Sequence, residues 1–375
     1  MEPFAEAMAQ MEESPTAHPL AVVASDVMEI RTARWADKGL DELVGRPVPR
    51  GDAALELRGR LLVEPDKAYQ TLSERCSALG YVVMLRQDKG DHVVLAIPGS
   101  LPRSAGRPWV AVVLFAATLL SVLWVGSGYE QTDNLLGGWP FAASLLGILM
   151  AHEMGHYLTA RWMKVPASLP HFIPMPFPPF GTMGAVIQTR APTRNRRELL
   201  LLGASGPLAG MIVAIPVLFI GLSTSQIGFI PQGFGSFQEG NSLLYAAAKL
   251  MVFGRFLPSG GMDVFINSVA LAGWAGLLVT GLNLIPAGQL DGGHVAYALL
   301  GRKARWLTWG VVAVMLALSP LWQGWLLWAA LVLLLGRVHA VPLDDVTPLR
   351  TSDKLLAALA ILVFVLVFIP IPMTL

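Results

Sequence analysis

Apolar residues fall into long runs along most of this chain, separated by short polar or proline-rich stretches. A membrane-crossing helix needs about 20 mostly apolar residues. Candidate runs are Trp109 to Gly126, Phe141 to Met163, Leu199 to Leu222, Val264 to Leu284 and Leu355 to Pro370. Trp306 to Gly336 is too long for one crossing and holds Ser319-Pro320 near its middle, so it reads as two short helices and a tight turn. Leu243 to Phe256 is shorter and carries Lys249 and Arg255, which suits a helix lying at the interface. The expected fold is mainly α: a polytopic membrane bundle of six or seven spans over residues 109–372.

The first 100 residues follow another pattern. Residues 54–100 read as a small β-α-β-β domain. Ala54 to Val63 is strand-like, and Pro65 stands where a helix would start. Ala68, Leu72, Cys76 and Leu79 share helical spacing, and Gly80 stops the helix. Tyr81 to Leu85 and His92 to Ile97 are two further strands around a polar turn. Residues 1–53 are weakly patterned and interrupted by Pro15, Pro47 and Pro49, so a short helix and loosely ordered chain are expected.

Composition sharpens this division. Hydrophobic residues make up 54% of the 375 positions and charged ones 14%, against roughly 25% charged in soluble domains. Residues 1–108 hold 29 of the 53 charged side chains, 13 basic and 16 acidic. The net charge of +1 excludes a strongly basic nucleic-acid binder. Cys76 is the one cysteine, so neither an intramolecular disulfide framework nor a cysteine metal cluster is available. No cleavable signal peptide is visible at the start.

Charge also sets the expected orientation, because basic residues mark the cytoplasmic side. Ser127 to Pro140 carries Glu130 and Asp133 but no Lys or Arg. The end of the second run and the loop after it hold Arg161, Lys164, Arg190, Arg194, Arg196 and Arg197, and Arg302, Lys303 and Arg305 precede Trp306 to Gly336. This alternation puts the N-terminal domain and the end of the second span in the cytoplasm. Seven helices leave the C-terminus outside; one kinked helix over 306–336 would bring it inside.

The second run contains His152-Glu153-Met154-Gly155-His156. On a helix the two histidines share one face and can reach a single tetrahedral zinc ion. Glu153 flanks that face and can take a proton from water at the metal. Ionisable groups inside a span are costly and usually mark function. A third protein ligand is then needed. Asp291 is the best-placed remaining carboxylate, just past a span end, among the helix breakers Pro286, Gly288, Gly292 and Gly293; His294 competes with it. Non-helical backbone at this depth is tolerated where it lines a cavity. Asn283 could orient substrate or stabilise an oxyanion.

With these two motifs the chain resembles the site-2 protease family of intramembrane zinc metalloproteases. The signatures are His-Glu-x-x-His in a span and Asn283, Pro286, Leu290, Asp291, Gly292 and Gly293 in Asn-x-x-Pro-x-x-x-Leu-Asp-Gly-Gly. Phe180 to Ile187 and Gly203 to Gly210 match weaker family patterns. The resemblance covers roughly residues 145–300. It favours Asp291 over His294 as third ligand of one zinc ion per chain, near the cytoplasmic side. It implies cleavage of membrane-spanning proteins, often to release a tethered regulator. No inserted PDZ-like stretch is evident, so the chain is closer to the branch with a soluble N-terminal extension, similar to chloroplast and cyanobacterial members.

Pro170, Pro174, Pro176, Pro178 and Pro179 forbid a helix in the stretch before Thr182, and Thr182 to Thr189 alternates like a strand. The resemblance implies a re-entrant hairpin here, with an edge that could pair with unwound substrate. Gly203, Gly206, Pro207 and Gly210 are expected to pack beside the zinc helix. The stretch Arg337 to Asp345, with His339, Asp344 and Asp345, reads as a solvated loop. An inactive zinc-binding scaffold and an ion transporter are the competing functions. The transporter predicts inverted repeats, which the sequence does not display.

Overall fold

The computed structural model describes residues 18–36, 54–101, 107–229, 238–335 and 340–374. The protein divides into two compact units: Met1–Arg103 with Ala191–Leu199 and Val338–Arg350, and the remainder.

In the first unit, α1 (Pro19–Ser25) leads into β1 (Met28–Ala36), followed by β2 (Ala54–Leu61), α2 (Pro65–Ala78), β3 (Tyr81–Asp88) and β4 (Asp91–Pro98). The strands form an antiparallel sheet in the order β1-β2-β4-β3. Proline in the first turn of α2 loses no helical hydrogen bond. Asp66 near its start and Arg75 near its end complement the helix dipole. Its buried face, Ala68, Tyr69, Leu72 and Cys76, joins Leu55, Leu57, Val83, Leu85 and Val94 in one core. Burial pushes the Tyr69 hydroxyl up to about 12 and the Cys76 thiol up to about 11.

The strand β1 departs from the expectation of loosely ordered chain within residues 1–53. A bulge between Ile30 and Thr32 shifts the register. Met28 and Ile30 face the core before it, Ala33 and Trp35 after it. That one-residue slip breaks the period-two alternation that would announce a strand. The segments before residue 18 and between 37 and 53 lie outside the described residues.

The second unit is mainly helical. It contains α3 (Pro108–Tyr129), α4 (Trp139–Trp162), β5 (His171–Pro174), β6 (Thr182–Val186), all but the first turn of α5 (Arg196–Ser223), β7 (Gln226–Phe229), β8 (Gln238–Glu239) and α6 (Leu243–Phe253). Next come β9 (Met262–Phe265), α7 (Ser268–Asn283), α8 (Asp291–Leu300), α9 (Ala304–Leu318), α10 (Gly324–Leu335), α11 (Thr351–Val367) and β10 (Met373–Thr374). Among the described residues, three helical stretches are long and apolar enough to cross a membrane: Pro108–Tyr129, Leu135–Trp162 and Arg196–Ser223. Phe141, Leu145 and Ile148 of α4, Ala214 and Leu218 of α5, and Trp274, Ala275 and Leu278 of α7 share its main core.

The fourth apolar run is shorter as a helix than its composition suggests. Met262–Phe265 pairs with β7, and the Asn267 side chain accepts from Ala270 N to start α7. An N-cap inside an apolar run is therefore what limits α7 to 16 residues. Residues 306–335 do form two helices, with a turn from Ser319 to Gln323. Proline-rich residues 171–186 form the hairpin β5-β6, in which Phe172 pairs with Ala185.

Candidate metal centre

The local chemistry begins on α4. His152 and His156 lie one turn apart and project into the unit's interior, 4% and 6% exposed. Their Nε2 atoms are 3.2 Å apart. The Asp291 Oδ2 atom lies 3.3 Å from the first and 3.2 Å from the second. Three potential ligand atoms thus form a nearly equilateral triangle. Metal bonds of about 2.0–2.1 Å in a tetrahedron separate neighbouring ligand atoms by about 3.3 Å. The triangle has the size of one tetrahedral face, and two imidazoles with one carboxylate are a donor set that suits zinc.

The tautomer of His156 is fixed from behind. Its Nδ1 lies 2.8 Å from the Leu202 carbonyl on α5. A carbonyl only accepts, so Nδ1 carries a proton, and Nε2 is the ring atom turned toward the triangle. Close helix approach makes this contact possible. A Cβ at Gly206 would overlap the His156 ring, and one at Gly210 would touch the His152 ring. The expectation that these glycines pack beside the histidine helix thus has a specific content: they leave room for the imidazoles.

Asp291 arrives by a tight return of the chain. The segment from Leu284 to Leu290 turns through bonds from Ala287 N to Ile285 O and from Leu290 N to Ala287 O. Asp291 then opens α8, where the helix dipole favours a carboxylate. Gly292 and Gly293 belong to the first turn of α8 and do not break it. Their missing side chains let the helix start press against the Leu284, Ala287 and Gly288 carbonyls. The expected non-helical backbone is confined to the stretch before Asp291.

These side chains border a cavity of about 220 Å³. Glu153 lines it and is itself buried. Asn283, at the end of α7, lines it too and brings its Nδ2 to 3.4 Å from His152 Nε2. Ala185, Val186 and Ile187 from the hairpin side form part of the wall. His294 borders the cavity but stands outside the triangle. Among the described residues, His152, His156 and Asp291 are the one group of three such side chains spaced to hold a metal. His339 lies outside the described residues. Gln289 and Thr189 also line the cavity, and the Leu202 carbonyl steadies a ring. No sequence motif singles these out, because their place depends on helices brought together from afar.

Comparison with known proteins supplies an independent finding. Residues 140–318 match peptidase family M50. The chain is 28% identical over 341 residues to "Probable zinc metalloprotease EGY2, chloroplastic" of Arabidopsis thaliana, across 84% of this chain and 60% of that protein. It is 32% identical over 240 residues to "Probable zinc metalloprotease EGY1, chloroplastic" of Arabidopsis thaliana, across 62% and 43%. It is 26% identical over 271 residues to "Probable zinc metalloprotease EGY3, chloroplastic" of Oryza sativa subsp. indica, across 65% and 45%. The chain spans about three fifths of the length of the EGY2 relatives it matches. No solved structure matches it.

Proposed function

We propose that the chain, which matches peptidase family M50 over residues 140–318, is a member of that family, the site-2 proteases, and acts as an intramembrane zinc endopeptidase on membrane-spanning proteins. The observation that carries this reading is the triangle of His152 Nε2, His156 Nε2 and Asp291 Oδ2, with edges of 3.2–3.3 Å. In the proposal these three atoms would hold one zinc ion beside the cavity. Zinc bound there supplies Lewis acidity for peptide hydrolysis.

The remaining steps fall to the chain's own groups. Glu153 takes the proton from the attacking water and delivers it to the leaving amine. The Asn283 amide donates a hydrogen bond to the scissile carbonyl oxygen as charge develops on it. Leu202 holds the His156 ring in the tautomer that presents Nε2. The edge of β6 pairs with a locally unwound substrate, since helical carbonyls are otherwise hydrogen-bonded and shielded. The substrate class accounts for a polar site among apolar helices, and release of a tethered regulator is the role it suits.

The membrane part is proposed to cross the bilayer six or seven times. Its N-terminal domain then lies in the cytoplasm and the metal centre near that face, as the basic loops suggest. Pairing of Arg194 with Asp66 at 3.0 Å supports placing their segments on the same side.

Metal analysis of purified protein tests the reading. About one zinc per chain is expected, falling near zero in the His156→Ala, Asp291→Ala double variant. Unchanged zinc in that variant would refute the ligand set. Zinc at one per chain without any peptide hydrolysis would turn the protein into a binding scaffold.

A further inference from the structure

The strand β3 ends the four-stranded sheet, and an uncovered edge of this kind invites unwanted pairing. Here the edge is covered by two distant segments of the same compact unit. Leu85 N donates to Leu343 O at 2.8 Å, and Asp345 N donates to Leu85 O at 3.0 Å. On the far side of that segment, Leu343 N donates to Thr193 O at 2.9 Å and Asp344 N to Arg194 O at 2.7 Å. The sheet thus gains two short rungs, around residues 343–345 and 193–195. The segment expected as a solvated loop instead buries Asp344 completely. Its carboxylate accepts from Val346 N, Thr347 N and the Thr347 hydroxyl.

Side chains reinforce the rungs. The buried Arg86 guanidinium donates from Nη1 to the Leu343 carbonyl at 2.8 Å. Arg194 pairs with Asp66 of α2 at 3.0 Å, and Arg196 donates from Nε to Asp345 Oδ1 at 2.7 Å. The first turn of α5 is also capped. Glu198 N donates to Asn195 Oδ1, and Arg194 N donates to Glu198 Oε2. The start of α5 is therefore fastened to the sheet of the N-terminal domain.

That same helix carries Leu202, whose carbonyl accepts from His156 Nδ1, and Gly206, which accommodates the His156 ring. Seven residues separate Asn195 from Leu202, about 10 Å or two turns of helix. A helix this short transmits a shift or rotation of its start almost undiminished. We propose that Arg196 and Asp345 are positioning residues: by anchoring the first turn of α5 to the N-terminal domain, they fix the orientation of the His156 imidazole two turns further on. This role rests on the protease reading above and gives the N-terminal domain a part in it.

The test uses full-length Arg196→Gln, Asp345→Asn and Arg196→Lys. Three quantities are read: kcat and KM on a transmembrane peptide, zinc retained against a graded chelator, and Tm. Groups that orient a metal ligand typically influence affinity or activity by about 10–100-fold. Arg196→Gln and Asp345→Asn should lower kcat by about tenfold with KM little changed, and should release zinc at lower chelator concentration. Arg196→Lys should recover most of both. Wild-type kcat and chelator resistance in the first two variants would overturn the proposal. So would a fall in Tm with kcat per folded molecule unchanged. Chelator resistance is read without turnover. Absence of cleavage by wild-type protein therefore counts against the protease reading, whereas equal chelator resistance counts against the anchor.

Discussion

Two buried clusters of ionisable groups lie in the second unit, and they satisfy their charges in opposite ways. Around Lys249, donors and acceptors match. Its ammonium lies 2.9 Å from Asp263 Oδ1, 3.5 Å from Glu239 Oε1 and 4.5 Å from the centre of the Tyr245 ring. The Tyr245 hydroxyl donates to Glu239 and Val264 N donates to Asp263. Around His152, His156 and Asp291, three potential ligand atoms face one another across 3.2–3.3 Å. The His156 Nδ1 proton goes to the Leu202 carbonyl, and the Nε2 atoms of both rings and the Asp291 carboxylate turn toward a common centre. The Lys249 cluster is complete within the protein, whereas in the proposed function the histidine cluster would be completed by a cation. The proposed metal role rests on that difference more than on burial or charge count.

Lys249→Met breaks the comparison most strongly. Removing one partner of a buried ion pair leaves charge uncompensated and costs about 3–5 kcal/mol. A large drop in Tm is expected, with zinc per folded chain unchanged. A variant that keeps its Tm but loses zinc would make the two clusters one functional system.

Gly206→Ala acts on the other cluster. The added methyl has no room beside the His156 ring, and a displacement near 1 Å in a reacting site can cost about 10²-fold in rate. Cleavage should fall by about that factor, with Tm lowered far less than by Lys249→Met. Wild-type activity in Gly206→Ala would show that the helices separate at little cost and that their spacing does not set the ring.

Cys76 provides a third way to bury an ionisable group, as a neutral one. It sits in the apolar core of the first unit, and burial pushes its thiol up to about 11. At pH 8 about one thiol in a thousand is then thiolate, the reactive form. Maleimide should label native protein slowly and denatured protein rapidly. Rapid labelling of native protein would remove Cys76 from that core.

Sequence patterns made some of this architecture legible and concealed the rest for identifiable reasons. His152 and His156 share a face of one helix, so their proximity follows from spacing alone. The β-α-β-β pattern of residues 54–100 was readable because apolar period and breakers agreed. Lys249 looked like an interfacial lysine because its partners, Glu239 and Asp263, belong to flanking segments, outside any helical repeat. Asp344 looked solvated because its burial depends on β3, more than 250 residues earlier. The bulge in β1 and the Asn267 cap each altered an element boundary by a local detail that a hydrophobic run does not display.

The central claim is that His152, His156 and Asp291 bind the metal while Glu153 handles the proton. Glu153→Gln preserves size and hydrogen-bonding capacity but cannot accept a proton. The most direct measurement pairs zinc stoichiometry with cleavage of a transmembrane peptide in wild type and Glu153→Gln. The account expects zinc to remain at about one per chain while cleavage falls by about 10²–10⁴-fold or more. Near-normal cleavage by Glu153→Gln, or loss of its zinc together with its activity, would contradict it.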